Sequence, residues 1–116
     1  MTTAALIATA LIAVLHVYIL VLEMFLWDTP RGRKVFGTTP EFATASKTLA
    51  ANQGLYNGFL AAGLAWGIYS ASRPIELFFL GCVVVAGIYG GLTANKRIIF
   101  VQAVPGAIAF ALVMLA

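Results

Sequence analysis

Residues 3–22 read TAALIATALIAVLHVYILVL, a run of twenty residues that contains no formal charge. Only His16 interrupts its hydrophobicity. An α-helix rises about 1.5 Å per residue, so about 20 apolar residues are needed to cross the hydrocarbon core of a bilayer. The run is too long for a strand in a soluble core and shows no alternation of apolar and polar residues. It predicts a transmembrane helix.

Three further uncharged stretches follow, at residues 48–72, 77–95 and 98–116. The chain is 62% hydrophobic and 9% charged, with a mean hydropathy of +0.99, whereas a soluble domain carries about 25% charged residues. This composition excludes a water-soluble globule, a disordered chain and a nucleic-acid-binding module. We therefore predict a single all-α integral membrane domain over residues 1–116. It is a bundle of four transmembrane helices, with spans at about 3–27, 40–71, 74–94 and 98–116.

Helix boundaries are predicted from the residues that separate these stretches. Thr39-Pro40-Glu41 combines a capping hydroxyl, a proline suited to the first helical position and an acid for the first turn. A helix is therefore expected to run from Pro40 to about Ser70, with its first two turns in the headgroup region or beyond. Ser72-Arg73-Pro74 ends the second span, and Asn95-Lys96-Arg97 forms a tight turn before the fourth.

The basic residues predict an orientation in the membrane. The first and third connections, which share a side, hold six Lys and Arg residues, whereas the second connection holds only Arg73. By the positive-inside rule, both termini are expected outside, with loops 28–47 and 95–97 in the cytoplasm. The basic stretch after the first span supplies candidates for contact with lipid headgroups, namely Arg31, Arg33 and Lys34.

Glycines spaced four residues apart predict close helix packing. Such pairs occur as Gly54 and Gly58, as Gly63 and Gly67, and as Gly87 and Gly91. In a bilayer, small residues let two helix backbones approach, and this favours association where the hydrophobic effect does not. We expect these faces to pack within the chain more than between chains. A homo-oligomer is still expected, because four short spans make a thin bundle.

The first two spans carry polar side chains that could act inside the membrane. Glu23 follows His16 by seven residues, which is two turns along the same helix face. The two residues are about 10 Å apart along the axis, too far for direct contact. An ionisable group at the bilayer centre costs about 2.5–3.5 kcal/mol on insertion scales, so each needs a partner. We predict a polar cluster in the cytoplasmic half of the bundle, with these candidates for binding a ligand or a proton: His16, Glu23, Asn52, Gln53, Asn57 and Gln102.

The last span contains a proline just beyond one of these candidates. Pro105 frees the carbonyl group of Val101, and we expect it to kink the helix beside Gln102 and so help to open a pocket.

Structural roles compete with functional ones at each candidate. Glu23 could extend to the headgroups and pair with Arg31 or Arg33, and a neutral His16 could serve as an interhelical hydrogen-bonding group. No metal site is predicted, because the single histidine has no second ligand three or four residues away. The single cysteine, Cys82, lies in an apolar run and can form no internal disulfide. No cofactor is expected.

Two segments of the chain resemble a known family. Residues 23–37, EMFLWDTPRGRKVFG, and residues 49–63, LAANQGLYNGFLAAG, are similar to the small bacterial membrane proteins of domain-of-unknown-function family 1304. The likeness covers essentially the whole chain and includes the Val101-Gln102-x-x-Pro105 pattern. It implies a four-span protein of the bacterial inner membrane, with characteristic polar positions at His16, Glu23, Asn52, Gln53, Asn57 and Gln102. It carries over no catalytic or transport role.

The function predicted from these observations is the binding or transport of a small molecule or proton through the polar cluster. The expected partners are the lipid bilayer, a second copy of the chain and a small-molecule ligand, but no nucleic acid. One alternative is an accessory subunit of a larger membrane complex. Another is a membrane-embedded enzyme that acts on a lipid-like substrate, with His16 and Glu23 as acid and base.

Overall fold

The computed structural model describes all residues, Met1–Ala116, and contains helices and no strands. The all-α fold class is therefore confirmed. Its elements in chain order are α1 (Thr3–Met24), α2 (Pro30–Phe36), α3 (Pro40–Tyr69), α4 (Arg73–Thr93), a π-helical segment (Ile99–Ala103) and α5 (Val104–Leu115).

Two helices, α1 and α4, are long and apolar enough to cross a membrane. Helix α3 has 30 residues, but the amides Asn52, Gln53 and Asn57 lower the hydropathy of its middle. The π-helical segment and α5 together form a shorter apolar helix, Ile99–Leu115. By length and composition, therefore, two membrane-crossing helices are supported, and the four-span arrangement is taken up as a proposal below.

The helix starts follow the capping signals in the sequence. Helix α3 begins at Pro40, and the hydroxyl of Thr39 accepts the backbone N–H of Phe42 at 3.2 Å. Helix α2 was not expected, although it has the same signals. Thr29 caps it, Pro30 is its first residue, and Gly37 ends it at a φ of 67°, which favours glycine.

The chain divides into two compact units. The first, here called the Glu23 unit, comprises Leu15–Phe59, and the second, here called the Glu76 unit, comprises Met1–Val14 with Leu60–Ala116. The Glu76 unit contains an apolar core to which four helices contribute. Its buried residues are Ala5, Ile12, Leu64, Leu80, Val83, Ala109 and Val113.

Glycines bring neighbouring helices together inside the Glu76 unit. A Cβ atom on Gly63 would collide with the ring of Phe79, so α3 and α4 are in direct contact at this point. A Cβ atom on Gly87 would lie 2.7 Å from the backbone nitrogen of Ala103, and α4 thus approaches the π-helical segment equally closely. These pairs pack within the chain, as predicted.

The irregularity expected at Pro105 takes the form of a π-helical segment. The N–H of Val104 bonds to the carbonyl of Ile99, five residues back, and Pro105 lies in the first turn of α5. A proline ring clashes with the carbonyl four residues before it, and the wider π turn accommodates this. The segment carries Gln102, one of the predicted site residues.

Candidate functional site

Glu23 is the central residue of the candidate site. It lies in the last turn of α1, and only 7% of its surface is exposed. Its carboxylate Oε1 accepts a hydrogen bond from the amide Nδ2 of Asn57 in α3, at 2.7 Å. The same amide nitrogen also donates to the backbone carbonyl of Gln53, at 3.1 Å. The second bond holds the Asn57 side chain against its own helix and directs it at the carboxylate.

Glycines on α3 allow this close approach. A Cβ atom on Gly54 would lie 2.6 Å from Cγ of Met24 and 3.1 Å from Cβ of Glu23. One turn later, a Cβ atom on Gly58 would lie 2.6 Å from Cδ1 of Leu20. A larger residue at position 54 would push α3 away from the end of α1, because the backbone oxygen of Leu20 also lies 3.2 Å from the added Cβ. At position 58, the end of the Leu20 side chain would have to move. The predicted glycine pair therefore sets the distance at which Asn57 reaches Glu23.

The other candidates of α1 and α3 occupy different environments. His16 is completely buried, and it lies two turns before Glu23 on the same helix. Asn52 and Gln53 are exposed on α3. Gln53 contributes its backbone carbonyl to the site, through the bond from Asn57, rather than its side chain. Of the predicted cluster, the structure thus joins Glu23 and Asn57 directly.

Gln102 belongs to the Glu76 unit, where it has a partner of its own. Its side-chain Nε2 donates to the backbone carbonyl of Val83 in α4, at 3.1 Å. This bond ties the π-helical segment to α4, close to where Gly87 packs against Ala103. The observed role of Gln102 is therefore a structural one, which the sequence analysis had weighed for such amides.

The connection between α1 and α3 is held in place by side-chain contacts. The indole Nε1 of Trp27 donates to the hydroxyl of Ser46 at 3.1 Å, and its ring packs on Phe36 with centroids 4.8 Å apart. Asp28 pairs with Arg33 at 3.1 Å and accepts the hydroxyl of Thr44 at 3.0 Å. These contacts fasten α2 and the start of α3 to the residues that directly follow Glu23.

The contacts of the two arginines in this connection show whether either of them pairs with Glu23. Arg33 pairs with Asp28, and Arg31 donates to the hydroxyl of Tyr18 at 2.6 Å. Neither arginine forms a salt bridge with Glu23. The carboxylate is therefore held by an amide, which carries no charge, and not by a loop cation.

A second buried acid, Glu76, was missed in the sequence. It is completely buried in the first turn of α4, and neither of its carboxyl oxygens has a hydrogen-bond partner within the chain. Its place beside Arg73 and Pro74 suggests a surface acid at a helix start. The signal that could have revealed it is spacing. Glu76 begins the buried face of α4 that continues through Leu80, Val83, Gly87 and Gly91.

The candidate site does not coincide with either of two surface concavities of the molecule. One, of about 710 Å³, is an apolar groove around Gly81 and Cys82 on α4. The other, of about 430 Å³, lies at the turn after α4 and includes Asn95 and Lys96. None of the predicted site residues lines either of them. Gly54 and Asn57 of α3 instead pack directly against Glu23.

Comparison with known proteins places the chain in a family. The family described as "Protein of unknown function (DUF1304)" matches residues 10–114. The chain belongs to this family. The match includes the Glu23 and Asn57 segments and the π-helical segment with Gln102. It confirms the resemblance drawn from residues 23–37 and 49–63.

One relative and the solved structures complete the comparison. The chain is 35% identical over 106 residues to "Uncharacterized protein YpaA" of Lactococcus lactis subsp. lactis (strain IL1403). The aligned part covers 88% of this chain and 89% of the relative. No solved structure matches the chain. The family and the relative bring no assigned activity, so the function has to be argued from the geometry.

Proposed function

We propose that this protein is a four-span integral membrane protein of the bacterial inner membrane that binds a proton or a small cation at Glu23. The observation that carries the proposal is the Glu23–Asn57 pair. A carboxylate only 7% exposed, at the end of an apolar helix, is held by a neutral amide while both nearby arginines are engaged elsewhere. Ionisable groups in such positions are costly, and they are retained where they act.

The hydrogen bonding of the carboxylate supports this assignment. Two carboxylate oxygens offer about four acceptor positions, and the amide of Asn57 fills one of them. The remaining lone-pair positions can take a proton or coordinate a small cation. Either would compensate a negative charge that the surrounding apolar side chains cannot. Asn57 can remain bonded in both cases, since its amide donates to a carboxylate oxygen or, more weakly, to the carbonyl oxygen of a carboxylic acid.

The proposed topology uses α3 and the helix at 99–115 as the second and fourth spans. The latter is about 26 Å long at 1.5 Å per residue, close to the hydrocarbon thickness of about 30 Å. With both termini outside, Glu23 lies next to the first, cytoplasmic loop, from which a proton or cation would enter. The excess of basic residues in the first and third loops supports this orientation.

The alternatives draw less support from the geometry. The three glycine pairs, through which an accessory subunit was expected to dock, are used for packing inside the chain. An enzyme was expected to use His16 and Glu23 together, but these residues lie two turns apart along α1. Proton or cation binding requires only the contact between Glu23 and Asn57.

The proposal is tested with protein reconstituted in liposomes that contain a pH-sensitive dye. We expect a proton gradient across these liposomes to decay faster than across empty ones, and Glu23→Gln to remove at least nine-tenths of that added rate. Glutamine keeps the shape of the side chain and an oxygen for Asn57, but it cannot be ionised. Glu41→Gln is the matched control, because Glu41 is an exposed acid in the first turn of α3.

Infrared difference spectroscopy on the same samples tests binding independently of flux. A step to lower pH should produce a carboxylic-acid C=O band with a component that is missing from the difference spectrum of Glu23→Gln and retained in that of Glu41→Gln. Addition of sodium, potassium or tetramethylammonium at constant pH distinguishes a cation site, because a bound cation would suppress the band. If Glu23→Gln leaves the band, its cation response and the proton flux as they are in the wild type, Glu23 is not the site.

A further inference from the structure

Two arginines of α2, placed two residues apart, have different partners. Arg33 forms a salt bridge with Asp28 at 3.1 Å, so an acid already neutralises its charge. Arg31 is exposed and donates one N–H to the hydroxyl of Tyr18 at 2.6 Å, with its guanidinium carbon 5.8 Å from the centre of the Tyr18 ring. Tyr18 is neutral, so Arg31 keeps its charge. It also keeps most of its five N–H donors for another acceptor.

Helix α2 presents Arg31 together with a second cation. Lys34 is exposed and lies three residues further on, which places the two on neighbouring positions of one helix face. The opposite side of α2 is fixed. Gly32 is packed against the carbonyl of Leu26 so closely that a Cβ atom there would collide with it, and the ring of Phe36 lies on Trp27. The two cations are therefore directed away from the protein by a helix that is anchored in place.

The α1 helix presents an apolar surface next to this pair. Val17 and Val21 of α1, and Phe25 in the turn directly after it, follow one another at intervals of four residues and are exposed, Phe25 to 69%. In the proposed orientation, Val17 is the one of the three that lies nearest to the bilayer centre. Tyr18 lies beside Val17 and Val21 on the same helix, and it carries the hydroxyl that binds Arg31. Tyr18 therefore connects the exposed apolar side chains of α1 with the guanidinium group of Arg31. Tyrosine side chains concentrate at the boundary between hydrocarbon and headgroups.

We propose that Arg31 and Lys34 bind the phosphate group of an anionic phospholipid whose acyl chain starts beside Val17 and runs along α1 towards the N-terminus of that helix, which is the direction of the bilayer centre. Tyr18 orients the guanidinium, and Arg31 provides the planar donors that suit phosphate oxygens. Arg33 takes no part, because Asp28 occupies it. The site does not include Glu23, so its test is independent of the test of the proposed function.

The experiment measures lipid binding by native mass spectrometry of the purified full chain in detergent. Phosphatidylglycerol and phosphatidylcholine, with identical acyl chains, are titrated in parallel. A lysine or arginine near a membrane surface contributes about 1 kcal/mol to anionic lipid binding, so Arg31→Gln should weaken phosphatidylglycerol binding about fivefold. Lys34→Gln should have a similar or smaller effect. Tyr18→Phe should fall between Arg31→Gln and the wild type, because it keeps the ring and loses the hydroxyl.

Arg97→Gln and Lys47→Gln are the matched controls, since both remove an exposed cation from the loops predicted to be cytoplasmic. We expect both to bind phosphatidylglycerol as the wild type does, and all variants to bind phosphatidylcholine alike. Equal losses in Arg31→Gln and in the two controls would show a nonspecific charge effect and would overturn the proposal. Competition by soluble glycerol phosphate as strong as that by phosphatidylglycerol would also overturn it, because it would indicate a phosphate site without a role for the acyl chain.

Discussion

Glu23 and Glu76 are both buried acids that face a glycine of α3, yet only Glu23 accepts a hydrogen bond from a side chain. Gly54 packs against Cβ of Glu23 and Gly67 against Cγ of Glu76, where added Cβ atoms would lie 3.1 Å and 2.6 Å away. Three residues after Gly54, Asn57 donates to the Glu23 carboxylate at 2.7 Å. The residue three positions after Gly67 is Ser70, and its hydroxyl bonds to the carbonyl of Trp66 instead.

The difference shows that two buried acids of one chain can be held in different ways. Glu76 lies in the first turn of α4, where the helix dipole favours a negative charge without any side-chain partner. Glu23 lies in the last turn of α1, where the dipole is unfavourable to a carboxylate and a directed hydrogen bond is needed. Both acids pack against a glycine of α3, but only Glu23 has its carboxylate oriented by a side-chain amide, that of Asn57.

The largest expected effect comes from removing that amide. Asn57→Leu should lower the free energy of unfolding by about 2 kcal/mol, because a nearly buried carboxylate loses its hydrogen bond. The measurement is the loss of helical circular dichroism during titration with sodium dodecyl sulfate in mixed micelles. The change leaves the Gly54 contact in place, so the two helices can still approach.

A double variant separates the hydrogen bond from general packing. If the loss in Asn57→Leu comes from the orphaned carboxylate, Glu23→Leu combined with Asn57→Leu should recover at least half of it. A double variant as unstable as the sum of the single variants would show that the two side chains contribute independently. The hydrogen bond from Asn57 would then not be what distinguishes Glu23 from Glu76.

Much of the fold could be predicted because its signals are local. The apolar stretches, and the Thr39-Pro40 start, specify where helices form through hydropathy and capping alone. Pro105 indicated an irregular fourth helix, and the structure supplies its form as a π-helical segment. Helix α2 escaped prediction even though Thr29-Pro30 repeats the signals that located α3.

The candidate site was harder to predict because it depends on how the helices are rotated about their axes. Glu23 was identified as an acid in need of a partner, but three amides on α3 were equally available to it. The choice of Asn57 follows from Gly54, which determines the face that α3 turns towards α1. Which arginine pairs with Asp28 is decided in the same way, by the orientation of α2 on Trp27. These residues can be read in the sequence, but the rotation of each helix about its own axis cannot.

A smaller effect on stability is expected from substituting Gly54, the glycine that packs against Glu23. Gly54→Ala should destabilise the protein by about 1 kcal/mol, because overpacking against Met24 and Glu23 exceeds the gain in helix propensity. Gly81→Ala is the matched control, since the nearest atom to its added Cβ would be 3.9 Å away. We expect that variant to be more stable by up to about 1 kcal/mol. The same titration measures both, and equal shifts in the two variants would contradict the close packing at Gly54.

The smallest expected effect tests the two acids directly, by the same substitution at each. Methionine has nearly the volume of glutamate, so Glu76→Met removes an unpartnered buried carboxyl and keeps the packing against Gly67. We expect it to raise the free energy of unfolding by about 0.5–1 kcal/mol, since the desolvation relieved exceeds the lost interactions with the helix dipole and with the amino group of Met1. Glu23→Met should lower it by a similar amount, because the amide of Asn57 loses one of its two acceptors and keeps only the carbonyl of Gln53. Opposite signs at the two positions would show that the partner, rather than burial, distinguishes the acids. Equal signs would instead mean that both carboxyls are held in the same way, and a bond to Asn57 would then be too weak to define a site at Glu23.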